Sequence, residues 1–501
     1  MVCKTKSATI RGIDAIIIDV ETDVSDGLPA FDMVGLLSSE VRESRERVKT
    51  ALKNNGFIVP PKRITINLAP ADIRKTGTYF DLAIAVSILM GIGIINAKKD
   101  DKYLFVGELG LDGKVVSVNG ILPIVLTALE HGMDKVFIPS ENINECKLIG
   151  TDKVVGVDNL NQLVYMLTTG DYIIENNHFK REVEEEYVSE MDFAYVKGQP
   201  IARRAAEIAA AGMHNILLIG TPGAGKSMIA KCMPTILPDL DDKEKLEVAG
   251  IQSIAGLLKS DSKIKRPFRS PHHTITIAAL TGGGSNPGPG EMSLAHRGVL
   301  FLDELPEFDS RVIEALRQPL EEKKVNISRV GGRYVFPADF LMMATSNPCK
   351  CGYYPDRNRC KCTEYDVKKY LDKISGPIMD RIDLCVGIEP VKYSELKDDK
   401  KSECSNEIKK RVEQAFYIQQ DRYSNLDINF NSQLYGNRIN EYCPLGSKEL
   451  KVMEQAFDKM NLSVRSYNKI IKAARTIADL DGSKNIEVKH LAEVFNYRLN
   501  Y

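Results

Sequence analysis

The chain has 501 residues, 43% apolar and 27% charged, with 67 Lys and Arg against 68 Asp and Glu. These values suit a globular protein of about three domains, each able to bury its own core, and they exclude disorder and a collagen-like chain. A net charge of −1 excludes a wholly basic nucleic-acid protein but leaves room for a local basic stripe.

The N-terminal MVCKTKSATIRG lacks the apolar stretch of a signal peptide. The longest apolar run, residues 82–97, falls short of the ~20 residues of a membrane span and predicts a buried helix. Ten cysteines are too few for a disulfide framework. A cytoplasmic protein with reduced thiols and no membrane contact is expected.

Residues 1–175 alternate strand-like runs at 15–24, 63–69 and 102–116 with helices at 79–90 and 121–132, followed by a strand at 135–140. This is an α+β or α/β pattern. Residues 181–192 hold six acids and one base and predict an acidic linker within 176–194, although a solvated helix end would look the same. Residues 195–390 carry near-continuous apolar strands at 215–220, 298–304 and 339–347, as in a parallel sheet buried on both faces. Helical periodicity at 401–420, 447–460, 464–480 and 488–500 predicts an all-helical domain over 391–501.

Between the strand at 215–220 and a following helix stand Gly220, Thr221, Pro222, Gly223, Ala224, Gly225, Lys226 and Ser227. This is a phosphate loop: the glycines let backbone N–H groups surround phosphate oxygens, Lys226 reaches the β- and γ-phosphates, and Ser227 ligates Mg²⁺. A chance glycine turn would lack the flanking strand and helix. The strand at 298–304 ends in Asp303 and Glu304, placed to hold Mg²⁺ through water and to polarise the attacking water. Acids are common at strand ends, but the apolar run directly before these two favours function. A third strand ends at Asn347, which would orient that water; on its own, an Asn there is more often a turn residue.

Cys349, Cys351, Cys360 and Cys362 form two C-x-C pairs eight residues apart. Four thiolates suit a closed tetrahedral Zn²⁺ site, with free thiols as the alternative. The other six cysteines read as buried or inert.

Together these residues resemble the AAA+ ATPases, with ATP and Mg²⁺ as cofactors. The strings RPFRSPHHTIT (266–276), GGGSNPGPGEMSLAHRGVLFLDELPEF (282–308), SGPIMDRIDL (375–384) and NLSVRSYNKIIKAARTIADL (461–480) resemble the magnesium-chelatase-like branch that includes the ComM/YifB family. The fold implied is an α/β multidomain chain: a Lon-protease-like α+β domain, an AAA+ core with a parallel sheet, and a C-terminal helical lid. The resemblance makes Arg381 an arginine finger and Arg465 a sensor-2 arginine, both serving a neighbouring subunit's site in a homo-hexamer. For an arbitrary arginine a structural salt bridge would be the better reading.

The resemblance also places two insertions in the ring's channel. One runs through Ile264–Glu291, and its segment KIKRPFRS (263–270) carries four bases and no acid. A hairpin at 323–336, with Gly331 and Gly332 as turn residues, carries Lys323, Lys324, Arg329 and Arg333. DNA, branched or single-stranded, is the partner such a pore suits; solvated edge-strand charges are the plainer alternative. The Gly-rich 282–291 is expected to be a flexible segment. In the Lon-like region, Tyr79 stands at the catalytic Ser position and Leu122 at the catalytic Lys position, so no protease activity is expected. Ser87 and Lys114 do not fall at matching places. The function implied is a ComM-like branch-migration helicase in natural transformation. The alternatives are a magnesium-chelatase motor inserting metal into a tetrapyrrole, and a non-enzymatic scaffold.

Overall fold

In a computed structural model the described residues are 2–96, 102–172, 191–258, 263–284, 287–329, 332–391 and 402–498. The expected acidic linker falls almost wholly outside them. Near the N-terminus, seven strands form a mixed sheet in the spatial order Ala30–Val34, Arg63–Ala69, Asp14–Ser25, Val2–Arg11, Tyr103–Phe105, Lys135–Pro139 and Val154–Val157. Val2–Arg11 and Asp14–Ser25 form an antiparallel hairpin, and the strands from Tyr103 onward add in parallel. Helix Asp81–Gly91 lies on this sheet with every residue from Asp81 to Leu89 buried, so it is apolar all round rather than amphipathic. It stops sooner than the apolar run 82–97 suggested. A side chain at Gly91 would meet Val24 Cγ2 at 2.8 Å, and Gly93 then adopts φ 81°. The run at 102–116 also breaks, into Tyr103–Phe105 and a small hairpin of Glu108–Leu109 with Val115–Val116.

A second sheet is parallel throughout, in the order Phe268–Arg269, Val299–Leu302, Leu341–Ser346, Ile216–Gly220 and Leu384–Ile388. Its two faces feed two cores. Ile216, Phe301 and Met343 pack with helix Pro200–Gly212 and with Val412, Ile470, Ile477 and Leu491 of the C-terminal helices. Leu217, Leu300 and Met342 pack instead with Val325, Ile327 and Phe336 of the hairpin Lys324–Arg329 and Gly332–Pro337. Covering on both faces explains the continuous apolar runs. The C-terminal helices are Ser405–Arg422, Ser447–Lys459, Val464–Leu480 and Val488–Phe495, with the short helix Arg438–Tyr442 between the first two. Among the described residues no helix is long and apolar enough to cross a membrane.

The two sheet-bearing regions touch end to end. Helix Asp242–Ile254 finishes beside helix Ile121–Glu130. Gly120 N–H donates to the Ser253 carbonyl (3.0 Å) and Leu122 N–H to Ser253 Oγ (3.4 Å). The carbonyl end of one helix thus satisfies the N–H end of the other. Ser253 Oγ donates in turn to Glu145 (2.6 Å), whose pKa is raised by burial.

Candidate active site

Strand Ile216–Gly220 lies between Leu341–Ser346 and Leu384–Ile388, so its C-terminal end opens into the crevice where parallel sheets bind ligands. A Cβ on Gly220 would stand 2.4 Å from the Ile388 carbonyl oxygen; only glycine lets the neighbouring strand come this close. The loop turns through Gly223 (φ 78°) and Gly225 (φ 91°) into helix Lys226–Cys232. Space beside both glycines is open, with nothing within 4 Å of either Cβ position. Left-handed residues entering a helix N-terminus make an anion cradle.

Lys226 is only 7% exposed. Its Nζ donates to the carbonyls of Gly220 and Thr221 (3.1 Å) and to Asn347 Oδ1 (3.0 Å). Burial lowers its pKa, against the opposing fields of Asp303 and Glu304. A buried ammonium whose hydrogen-bond partners are neutral oxygens is a site that favours an added anion.

Ser227 Oγ lies 3.1 Å from Asp303 Oδ2. Adjacent ligands of octahedral Mg²⁺ stand about 2.9 Å apart for bonds of 2.0–2.1 Å, so this oxygen pair fits the cation. Thr345, fully buried, donates to Asp303 Oδ1 (2.6 Å) and accepts from Glu304 N–H (2.8 Å). Glu304 adopts φ 54°, a strained backbone that a non-glycine residue keeps where geometry matters. Its carboxylate accepts from Asn347 Nδ2 (3.2 Å). Asn347 therefore bridges Lys226 and Glu304. Lys226, Ser227, Asp303, Glu304 and Asn347 all come together, and Thr345, which carries no signal in the sequence, joins them.

Arg381 and Arg465 stand elsewhere and share one carboxylate. Arg381, its side chain 7% exposed, donates to Glu321 and to the Pro377 carbonyl. Its Nε is buried without a partner. Arg465 reaches the other oxygen of Glu321 at 3.4 Å and lies 3.9 Å from Asp380. In the isolated chain the expected finger is held in place by Glu321, a residue for which the sequence offered no signal.

The four cysteines converge. Their sulfurs all lie within 4.8 Å of one another, with Cys349–Cys351 at 3.3 Å, Cys349–Cys360 at 3.7 Å, Cys351–Cys360 at 3.5 Å and Cys351–Cys362 at 3.6 Å. A tetrahedron of Zn–S bonds of about 2.3 Å has edges of about 3.8 Å, so the four thiols fit such an ion. The loop they close is tied to the nucleotide site. Gly352 lies against the Pro222 ring, a Cβ there meeting its Cδ at 2.7 Å, and Cys349 follows Asn347 by two residues. All ten cysteines are free thiols.

The expected channel segments change in character. In KIKRPFRS, Arg266 is buried against Glu244 (3.0 Å) and three carbonyls, and Arg269 makes two 2.6 Å bonds to Glu291. Those two bases are structural, so the segment offers fewer free charges than its composition suggested. The hairpin forms as expected, with Gly332 in the second strand opposite Arg329; residues 330 and 331, and with them the expected turn residue Gly331, lie outside the described residues. Lys323 pairs with Asp339 (3.2 Å); Lys324, Arg329 and Arg333 are exposed. The Gly-rich segment is not merely flexible. Gly282–Gly283 pairs antiparallel with Gly288–Pro289, and a Cβ on Gly282 would lie 2.3 Å from the Gly288 carbonyl oxygen. Absent side chains allow that closeness, which a compositional reading treats as flexibility.

In the N-terminal region Leu122 is fully buried, and burial pushes the Tyr79 hydroxyl up to about 12. Ser87 is buried against Thr22 (2.6 Å) and the Ile84 carbonyl, while exposed Lys114 pairs with Glu141 (3.0 Å).

A parallel sheet with a phosphate loop on one strand and a carboxylate pair one strand removed is the core of an AAA+ P-loop ATPase. Residues 192–396 match the family described as magnesium chelatase, subunit ChlI. Residues 20–142 match subunit ChlI of Mg-chelatase, and residues 402–498 the ChlI C-terminal region. The chain is 38% identical to the competence protein ComM of Haemophilus influenzae over 496 residues, covering 98% of this chain and 96% of that one. It is 40% identical to YifB of Escherichia coli over 489 residues, 97% and 95% of the two chains. The chain belongs to the ComM/YifB family of magnesium-chelatase-like AAA+ ATPases. A Lon protease of Finegoldia magna is 25% identical over 137 residues, 26% of this chain and 17% of that protein, in keeping with the Lon-like resemblance. The family implies ATP and Mg²⁺ and is commonly oligomeric.

Proposed function

We propose that the chain is a homo-hexameric, ATP-driven motor on DNA, a branch-migration helicase acting on recombination intermediates during DNA uptake. The observation that carries DNA as the partner is the hairpin Lys324–Arg329 and Gly332–Pro337. Lys324, Arg329 and Arg333 are exposed there without a carboxylate within 4.0 Å among the described residues. Six copies would line a channel with positive charge in a chain of net charge −1. The name of the ComM relative, a competence protein, supports the link to DNA uptake. The division into 1–175, 176–194, 195–390 and 391–501 belongs to the same reading.

In this reading Gly220, Thr221, Pro222, Gly223, Ala224 and Gly225 cradle the triphosphate and Lys226 neutralises it. Ser227 and Asp303 would hold Mg²⁺, which would supply charge neutralisation to the transferring phosphoryl group. Thr345 fixes the Asp303 carboxylate. Glu304 takes the proton of the attacking water and Asn347 orients that carboxylate. Arg381 and Arg465 complete the site of the adjacent subunit.

ATP turnover should rise with forked DNA, and the rise should fade as salt is raised, because phosphate contacts release counterions. Turnover indifferent to DNA, with no salt-sensitive binding, would overturn the DNA assignment. The family's own description favours a second reading, a motor for metal insertion into a tetrapyrrole; stimulation by a porphyrin substrate and not by DNA would select it.

Zinc at Cys349, Cys351, Cys360 and Cys362 is part of the proposal, with a structural role. Elemental analysis of purified protein should give one zinc per chain, and markedly less would count against the site. Chelation should also slow ATP turnover, because the stapled loop rests on Pro222 beside the phosphate loop.

A further inference from the structure

The turn between the first two strands reaches across to the channel hairpin of the ATPase core. Gly12 has φ 71°, and a Cβ on it would stand 3.0 Å from the Val335 carbonyl oxygen. Ile13 packs on the apolar cluster of Ile327 and Phe336, as Tyr334 does. Arg11 lies against the hairpin's end: a Cβ on Gly332 would be 2.9 Å from its Nη2. The small Gly-rich hairpin reaches the same place. Arg329 Nη2 is 3.3 Å from the Cβ position of Gly283, and Ile327 Cδ1 is 3.2 Å from that of Gly282. Three segments far apart in sequence therefore meet at one end of the channel hairpin.

The charge gathered there is one-sided. Arg11, Arg329 and Arg333 are exposed. Arg333 gives one donor to Asn326 (3.0 Å). Asp14 pairs with Arg11 in strand register, yet no carboxylate among the described residues comes within 4.0 Å of any of the three guanidiniums. Like charges brought together without counter-charge concentrate a positive field and draw in an anion. The register Arg329↔Gly332 and Ser328↔Arg333 sets Arg329 and Arg333 on opposite faces of the hairpin near its end, so a phosphate backbone passing that end meets a guanidinium fork on either face.

We propose that Arg11 of the N-terminal region binds the phosphate backbone of single-stranded DNA, forming with Arg329 and Arg333 one basic lip on the channel. This rests on the DNA reading above and extends it to a region that carries neither a Ser nucleophile nor a Lys base at Tyr79 and Leu122. The N-terminal region then has two tasks: its turn steadies the hairpin through Gly12 and Ile13, and its arginine adds a cation the ATPase core lacks.

The test measures binding of the full-length protein to fluorescein-labelled oligodeoxythymidine over a salt series, for wild type, Arg11→Glu, Arg11→Lys and Arg333→Glu. Arg11 is exposed, so Arg11→Glu should melt at the wild-type midpoint. Arg11→Glu should weaken binding about ten-fold and flatten the slope of log K against log salt by about 0.7 for each phosphate no longer neutralised. Arg11→Lys should keep most of both. Wild-type binding and slope in Arg11→Glu, with Arg333→Glu weakened, would overturn the role of Arg11 while leaving DNA in the channel. Wild-type behaviour in both charge reversals would remove the DNA reading itself.

Discussion

Replacing Arg381 by alanine is expected to lower ATP turnover by about 10³–10⁵-fold, the range an arginine finger supplies. The reason lies in where the charge develops. A phosphoryl group in transfer spreads negative charge over its equatorial oxygens, and a fixed guanidinium offsets it at no cost of solvent reorganisation. The Arg381 carbonyl accepts from Asn215 Nδ2 at the start of strand Ile216–Gly220, the end of the sheet opposite its own phosphate loop. The side chain's partners are Glu321 and the Pro377 carbonyl, and its own phosphate loop is served by Lys226. The proposed target is therefore the site of the next subunit. Mixing Arg381→Ala with wild-type chains should depress activity more steeply than the wild-type fraction, because each defective chain disables a neighbour. Activity strictly proportional to that fraction would contradict a role in trans. Glu321 sharpens the same experiment. It is half exposed and holds both Arg381 and Arg465, so Glu321→Gln should loosen both without removing either charge. Its turnover should stay far above that of Arg381→Ala.

Much of the architecture was legible because burial imposes periodicity. The strands near 216, 299 and 341 are covered on both faces, and their continuous apolar runs say so. Elements with no clear sequence signal have diluted patterns. Strand Val2–Arg11 carries Lys4, Lys6 and Arg11 among small polar residues, and its inward face includes Thr5, Ser7 and Thr9. Helix Ser39–Asn54 buries only Val41, Ser44, Val48, Ala51 and Leu52, a stripe too narrow to stand out among its charges. Strand Leu384–Ile388 hides behind the DRID string that drew attention to Arg381.

The site divides in the same way. Residues whose chemistry is written in local order, Gly220 to Ser227 and Asp303-Glu304, could be read directly. Thr345 could not: a threonine inside an apolar strand looks like a β-former, and only pairing of Leu341–Ser346 beside Val299–Leu302 brings its hydroxyl to Asp303. Glu321 is one of two adjacent acids at a helix end, and its link to Arg381 spans sixty residues. Charge counts misled where burial changes a base's role. Arg266 is nearly fully buried on Glu244, and composition cannot distinguish it from exposed Arg333. Pairings that close through the fold leave no local trace.

Lys226→Ala should abolish hydrolysis, by more than the roughly 10²–10³-fold that one preorganised donor contributes, because it removes both a charge and a tether. The ammonium is fixed by the Gly220 and Thr221 carbonyls and by Asn347 Oδ1, so it meets the phosphates already desolvated. Burial lowers its pKa; a bound triphosphate reverses that pressure and holds the proton on. Alanine leaves the cradle neutral and also frees Asn347, the donor to Glu304. Nucleotide affinity and turnover should therefore fall together. Glu304→Gln makes the contrast. It keeps the cradle, Lys226 and the Ser227–Asp303 pair while removing the base, a loss of about 10²–10⁴-fold in turnover with nucleotide still bound. Equilibrium binding of a fluorescent ATP analogue beside steady-state phosphate release separates the two. Persistent turnover in Lys226→Ala would show that the hydrolytic site lies elsewhere; lost binding in Glu304→Gln would show that its left-handed backbone serves structure rather than the water.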